Sequence, residues 1–168
     1  MDLIDKNGKI KGGILENNFK NWLDIHKIPF LYIEQNNQTL SPSLIEEFAS
    51  KRPDFMILVP HFGFLFVDVK YRKMHTEFRN FPIDIIETKK YSSLQRKFHL
   101  EIWYVISNED YGFKTWFWIP VSKVMELGIS AQVSRKSGEG FFPIPIEEFI
   151  QVSEDDSLDR LFSKLFMK

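Results

Sequence analysis

The stretch RPDFMILVPHFGFLFVDVKYR, residues 52–72, decides how this chain folds. Two apolar runs flank the turn-like Pro60-His61-Phe62-Gly63, so the stretch reads as a β-hairpin. Asp54 precedes the first run, and Asp68 and Lys70 end the second. With the turn centred on residues 61–63, antiparallel partners have numbers summing to about 122–124, which sets Asp54 across from Asp68 or Lys70. Side chains alternate between faces, so Asp54, Met56 and Leu58 share a face with Phe66, Asp68 and Lys70 in either register. Opposed Cβ atoms of such pairs lie about 4.5–5.5 Å apart. Two carboxylates and an ammonium therefore converge at one end of an otherwise apolar hairpin face.

Carboxylates that close repel, and one lysine cannot satisfy both at full charge. A divalent cation can, and two carboxylates completed by waters are the oxygen ligation expected of Mg2+. Lys70 beside such a site is placed to orient or deprotonate an attacking water, or to stabilise charge growing on a phosphoryl group. That is a site for metal-assisted phosphodiester hydrolysis. The plain alternative is a strand running out into solvent with a surface ion pair worth about 0–1 kcal/mol.

The elements around the hairpin build an α/β domain on a mixed sheet. Leu15, Phe19, Trp22, Leu23 and His26 form the stripe of an amphipathic helix, with Gly12 and Gly13 before it and Pro29 after it. PFLYIEQ follows as a short strand, and Ser43 is placed to cap a short helix over LIEEFASK. Beyond the hairpin, Tyr91, Leu94 and Phe98 mark a second helix over residues 87–99. LEIWYVIS reads as a strand buried on both faces and FKTWFWIP as an aromatic-rich one. PVSKVMELG reads as a short helix stopped by Gly128. The prolines of FFPIPIEEF confine that segment to an edge or an extended connection. DDSLDRLFSKLFMK reads as a C-terminal helix.

The chain's 168 residues, 43% of them hydrophobic, suit a single domain with a real core. There are no cysteines, so disulfides and thiolate metal sites are excluded. His26, His61, His75 and His99 lack the spacing of a zinc site. With no apolar run of about 18 residues and a charged N-terminus, a soluble, cytoplasmic protein without a membrane partner is expected. The net charge of −1 hides a segregation. From Asp68 to His99 there are eight Lys or Arg against four acids, whereas from Pro143 to Lys168 six acids face three bases.

Pro53-Asp54 followed, after a gap, by Asp68-Val69-Lys70 resembles the PD-(D/E)XK motif of the restriction-endonuclease-like nuclease superfamily. The similarity extends to an early helix carrying a glutamate, here Glu16, and to a later helix with a glutamine, here Gln95, followed by a strand. It covers about two-thirds of the chain, roughly residues 12–120, leaving residues 121–168 as a C-terminal extension. The resemblance implies a mixed central β-sheet flanked by helices and a DNA endonuclease dependent on Mg2+ or Mn2+. It implies a metal held by Asp54, Asp68, the carbonyl of Val69 and Glu16, with Lys70 activating the attacking water and Gln95 facing the site. On a helical wheel Glu16 lies about 75° from the centre of the apolar stripe, at the edge of the buried face. As an acid near a helix N-terminus it also has a purely structural reading.

Arg72, Lys73, Lys89, Lys90, Arg96 and Lys97 are the candidate DNA phosphate contacts. SRKSGEG is a candidate DNA-contacting loop, His61 a solvated turn residue, and Trp116 and Trp118 core rather than base-stacking residues. A homodimer is expected because cutting two strands often takes two active sites. The alternative to an enzyme is a non-catalytic nucleic-acid-binding or interaction module on the same fold.

Overall fold

The computed structural model describes residues 3–36, 38, 41–48, 52–128, 133–134 and 140–162. In chain order the elements are α1 (Leu3–Ile25), β1 (Phe30–Tyr32), α2 (Pro42–Phe48), β2 (Phe55–Val59), β3 (Gly63–Tyr71), β4 (Asn80–Asp84) and α3 (Ile85–Phe98). There follow β5 (Ile102–Ser107), β6 (Thr115–Pro120), α4 (Val121–Gly128), β7 (Val133–Ser134), β8 (Gly140–Pro145) and β9 (Ile150–Ser153).

The hairpin β2–β3 forms in the register Phe55↔Val67 and Met56↔Phe66, which carries Asp54 toward Asp68. Its turn places His61 at φ 62° and Gly63 at φ 108°, and His61 is exposed as expected. β1 pairs with β2, and β3 runs parallel to β5, joined through β4 and α3. The order β1-β2-β3-β5-β6-β9 gives a six-stranded mixed sheet whose only parallel pair among the described strands is central.

Strand alternation splits the core in two. Phe55, Ile57, Leu65, Val67 and Val69 face α1, where Leu15, Phe19, Trp22 and Leu23 are buried. Phe19 makes edge contacts with Phe55 and Trp116, at ring centroid separations of 5.3 Å each. The opposite face carries Phe66, Ile102, Tyr104, Ile106, Phe117 and Ile119. It packs on Tyr91 and Leu94 of α3, on α4, and on a second sheet ordered β4-β8-β7. Trp116 and Trp118 are buried in the α1-side core, in keeping with their reading as core residues.

Several local expectations are corrected. α1 starts nine residues or more before the expected boundary, so Gly12 and Gly13 lie inside it, with open space where a Cβ would stand. The short helix is capped by Ser41 rather than Ser43: Leu44 N–H donates to Ser41 Oγ at 3.3 Å, with Pro42 in the first helical position. β8 is the central strand of its sheet rather than an edge. β7 pairs only with its first residues, Gly140 and Phe141, so Pro143 and Pro145 meet β4 alone and interrupt no ladder on their other side. β4 and β9 were not anticipated. Of the C-terminal segment, Leu158–Leu161 is a 3-10 turn rather than α-helix, and residues 163–168 lie outside the described residues, as do residues 135–139 of SRKSGEG. No described helix is long and apolar enough to cross a membrane.

Candidate active site

The hairpin brings Asp54, Asp68 and Lys70 together at the end of the sheet. Asp54 sits just ahead of β2, where its N–H donates to the Val67 carbonyl at 2.9 Å. Its Oδ2 accepts the N–H of Val69 at 2.7 Å, which locks its carboxyl against β3. Asp68 and Lys70 follow on β3 at the same parity and therefore on the same face. Asp54 and Asp68 are 9% and 2% exposed, and the two carboxyls lie close enough to act on each other electrostatically.

Burial, and then the charge of Asp68, push the Asp54 carboxyl up to about 9. Burial also raises Asp68, against the opposing pull of Lys70. Burial pulls the Lys70 ammonium down, but the carboxylates of Asp68 and Glu87 outweigh it and hold it above its ordinary range. Burial beside Asp68 thus favours the protonated form of Asp54, and a cation would relieve the same repulsion between the two acids.

The opposite side of the cluster comes from α3, through Glu87 and Tyr91, which the sequence reading did not place in the site. Lys70 Nζ is 2.9 Å from Asp68 Oδ2 and 2.9 Å from Oε1 of Glu87, which is 5% exposed. Tyr91 Oη, one turn further along the helix, donates to Asp68 Oδ2 at 2.8 Å. Asp84 caps α3, its Oδ1 accepting the Glu87 N–H at 2.8 Å, so Glu87 sits in the first turn facing β3. The spacing Asp84-x-x-Glu87 is a sequence signal for such a helix start. It is missed when α3 is read from residue 87. Tyr32 of β1 was missed too: its hydroxyl donates to Glu16 Oε2 at 3.1 Å.

Glu16 lies on α1, half-buried at the rim of this group. Burial raises its carboxyl, the Tyr32 bond lowers it, and Asp68 and Lys70 are both close enough to act on it electrostatically. Gln95 is engaged elsewhere, its Oε1 accepting the Ile102 N–H at 2.9 Å and so tying the end of α3 to the start of β5. Among the candidate DNA contacts, Lys89 and Arg96 are exposed on α3, and Lys90 and Arg72 are half-buried. Arg72 donates to the Tyr71 carbonyl, Lys73 faces Glu109 at 3.7 Å, and Lys97 pairs with Glu47.

The donor set suits a small hard cation. The donors from Val69, Tyr91 and Lys70 all fall on Oδ2 of Asp54 or Asp68, which leaves Oδ1 of each unused by these three groups. Among the described residues no group of three or more acidic or histidine side chains is drawn together tightly enough to hold a metal alone. The pair therefore fits an ion that takes one or two protein carboxylates and completes its shell with water and phosphate oxygens.

No protein-family model matches the chain, and no curated protein does. Among solved structures, the nuclease D212 from a fusselovirus aligns with a TM-score of 0.50 at 13% identity, over 96% of this chain and 91% of that one. Hjc, a Holliday junction resolvase from Archaeoglobus fulgidus, aligns with a TM-score of 0.46 at 16% identity, over 79% of this chain and 88% of that one. The likeness to D212 shows the fold, a restriction-endonuclease-like mixed sheet flanked by helices.

Proposed function

On the restriction-endonuclease-like fold that the chain shares with D212, we propose that it is a divalent-cation-dependent nuclease that hydrolyses phosphodiester bonds in DNA. The observation that carries the reading is the buried Asp54–Asp68 pair, fixed by Val69 N–H and Tyr91 Oη beside Lys70. That D212 is a nuclease supports it. Asp54 and Asp68 would hold the ion, with the Val69 carbonyl and Glu16 as further candidates. Mg2+ or Mn2+ bound there supplies Lewis-acid polarisation of a phosphoryl oxygen and a more acidic water.

The protein's own groups do the rest. Val69 N–H and Tyr91 Oη fix the two carboxyls, so the site needs little rearrangement to present their remaining oxygens. Lys70, charged and held by carboxylates, is placed to stabilise negative charge developing on the phosphoryl group and to orient the attacking water. Its raised pKa favours the role of electrostatic stabiliser over that of general base. Gln95 enters the proposal as a residue that fixes α3 on β5 rather than as a group touching substrate. Lys89 and Arg96 on the exposed side of α3 would contact phosphates, together with Arg72, Lys73, Lys90 and Lys97. A homodimer belongs to the same proposal.

Plasmid nicking with Mg2+ or Mn2+ tests this. Cleavage should depend on the added cation and fall by about 100-fold or more in Asp68→Ala and Lys70→Ala. Wild-type protein that binds DNA without cutting it under any divalent cation would instead support the non-catalytic module.

A further inference from the structure

Glu87 is a buried carboxylate to which the reaction proposed above gives no part, and both its oxygens reach Lys70, Oε1 at 2.9 Å and Oε2 at 3.1 Å. The same ammonium is 2.9 Å from Asp68 Oδ2. Two buried carboxylates, those of Asp68 and Glu87, thus hold one lysine, and buried Asp54 lies beside Asp68. A divalent cation set between Asp54 and Asp68 is matched in charge by those two groups. Lys70 is then left a few ångströms from two positive charges, sharing Asp68 with them, and in a poorly hydrated site that repulsion is strong. Another anion must hold it there. Glu87 supplies that anion from a different element.

We infer that Glu87 is a positioning residue, the counter-ion that keeps Lys70 in the site once Asp68 is given over to a divalent cation. The inference rests on the nuclease reading of the same site. Its backbone is fixed by the Asp84 cap, and its side chain is almost wholly removed from solvent, which separates it from an ordinary first-turn acid on a helix surface. With Tyr91 one turn on, α3 presents β3 with an anion for Lys70 and a donor for Asp68. Partners of this kind, one contact removed from the ion, set ligand orientation and commonly change metal affinity by about 10- to 100-fold when lost.

Mn2+ binding measured by calorimetry on wild type, Glu87→Gln, Lys70→Met and the double variant tests the inference, with folding checked by circular dichroism. Glu87→Gln should weaken Mn2+ binding by about 10- to 100-fold, because Lys70 then competes undivided for Asp68. In the Lys70→Met background the same substitution should change affinity little, since the lysine it serves is gone. Glu87→Asp, which keeps the charge one methylene short, should recover part of the loss and carries the comparison if Glu87→Gln does not fold. Wild-type affinity in a folded Glu87→Gln, or an equal loss without Lys70, overturns the inference while leaving the nuclease reading intact. Wild-type protein that takes no Mn2+ overturns both.

Discussion

Asp54 behaves as a proton store in the absence of a cation. Its ordinary value is 3.8, and burial beside Asp68 raises it to about 9 in the folded chain. Between those values the folded state binds more protons than the unfolded one, so the contribution of this group to stability is full below the lower value and is lost as pH rises through the upper one. Asp68 is raised in the same sense. In EDTA, the melting temperature should therefore fall as pH is raised from about 4 to about 9. Asp54→Asn, which keeps the shape without the titration, should flatten that fall; an equally steep fall in the variant contradicts the assignment. At this scale the candidate site was half legible. Asp54, Asp68 and Lys70 are brought together by strand parity within one hairpin, a local rule that holds before any packing is known. Glu87, Tyr91 and Tyr32 arrive from α3 and β1, and their approach depends on how those elements dock.

Docking is governed by close approaches that composition does not announce. Gly128, read from sequence as a helix stop, is the last described residue of α4 and lies against β8. A Cβ built at residue 128 would stand 2.4 Å from Cδ1 of Phe142, whose side chain is fully buried. Gly128→Ala should cost about 1–3 kcal/mol through this overlap, read as a lower urea midpoint at unchanged slope. Unchanged stability would mean that α4 and β8 do not pack as described. The glycines of α1 show the opposite case, since nothing lies within 4 Å of a Cβ at residue 12 or 13. There the helix runs on through both glycines although Ile10 and Ile14 are exposed, which is why a boundary placed by glycine fell short. β4 escaped notice because Pro82 sits in its centre, where it is tolerated because β4 is an edge strand of its sheet.

Across the whole molecule, the hairpin and the long apolar strands β5 and β6 were legible, and with them the mixed sheet. The small sheet β4-β8-β7 and the edge strand β9 were not, because they are short, proline-containing or without alternation, and are ordered by the cores they cover. The two-sided core explains the placement of the site. α1 covers one face of the sheet and α3 the other, while Asp54 and Lys70 lie where β2 begins and β3 nears its end, between the two coverings. Lys89 and Arg96 line the outer side of α3, the same helix that delivers Glu87, so backbone contacts and chemistry would be carried on one rigid element. On the proposed reading, a divalent cation held by Asp54 and Asp68 displaces the proton that burial favours on Asp54. Anomalous diffraction from crystals soaked in Mn2+ tests it most directly. A single strong peak is expected between the two carboxyls, at ligand distances of about 2.1 Å, with Lys70 still seated on Glu87. A peak bound elsewhere, or none, with the Asp54 and Asp68 carboxyls left uncoordinated would contradict it.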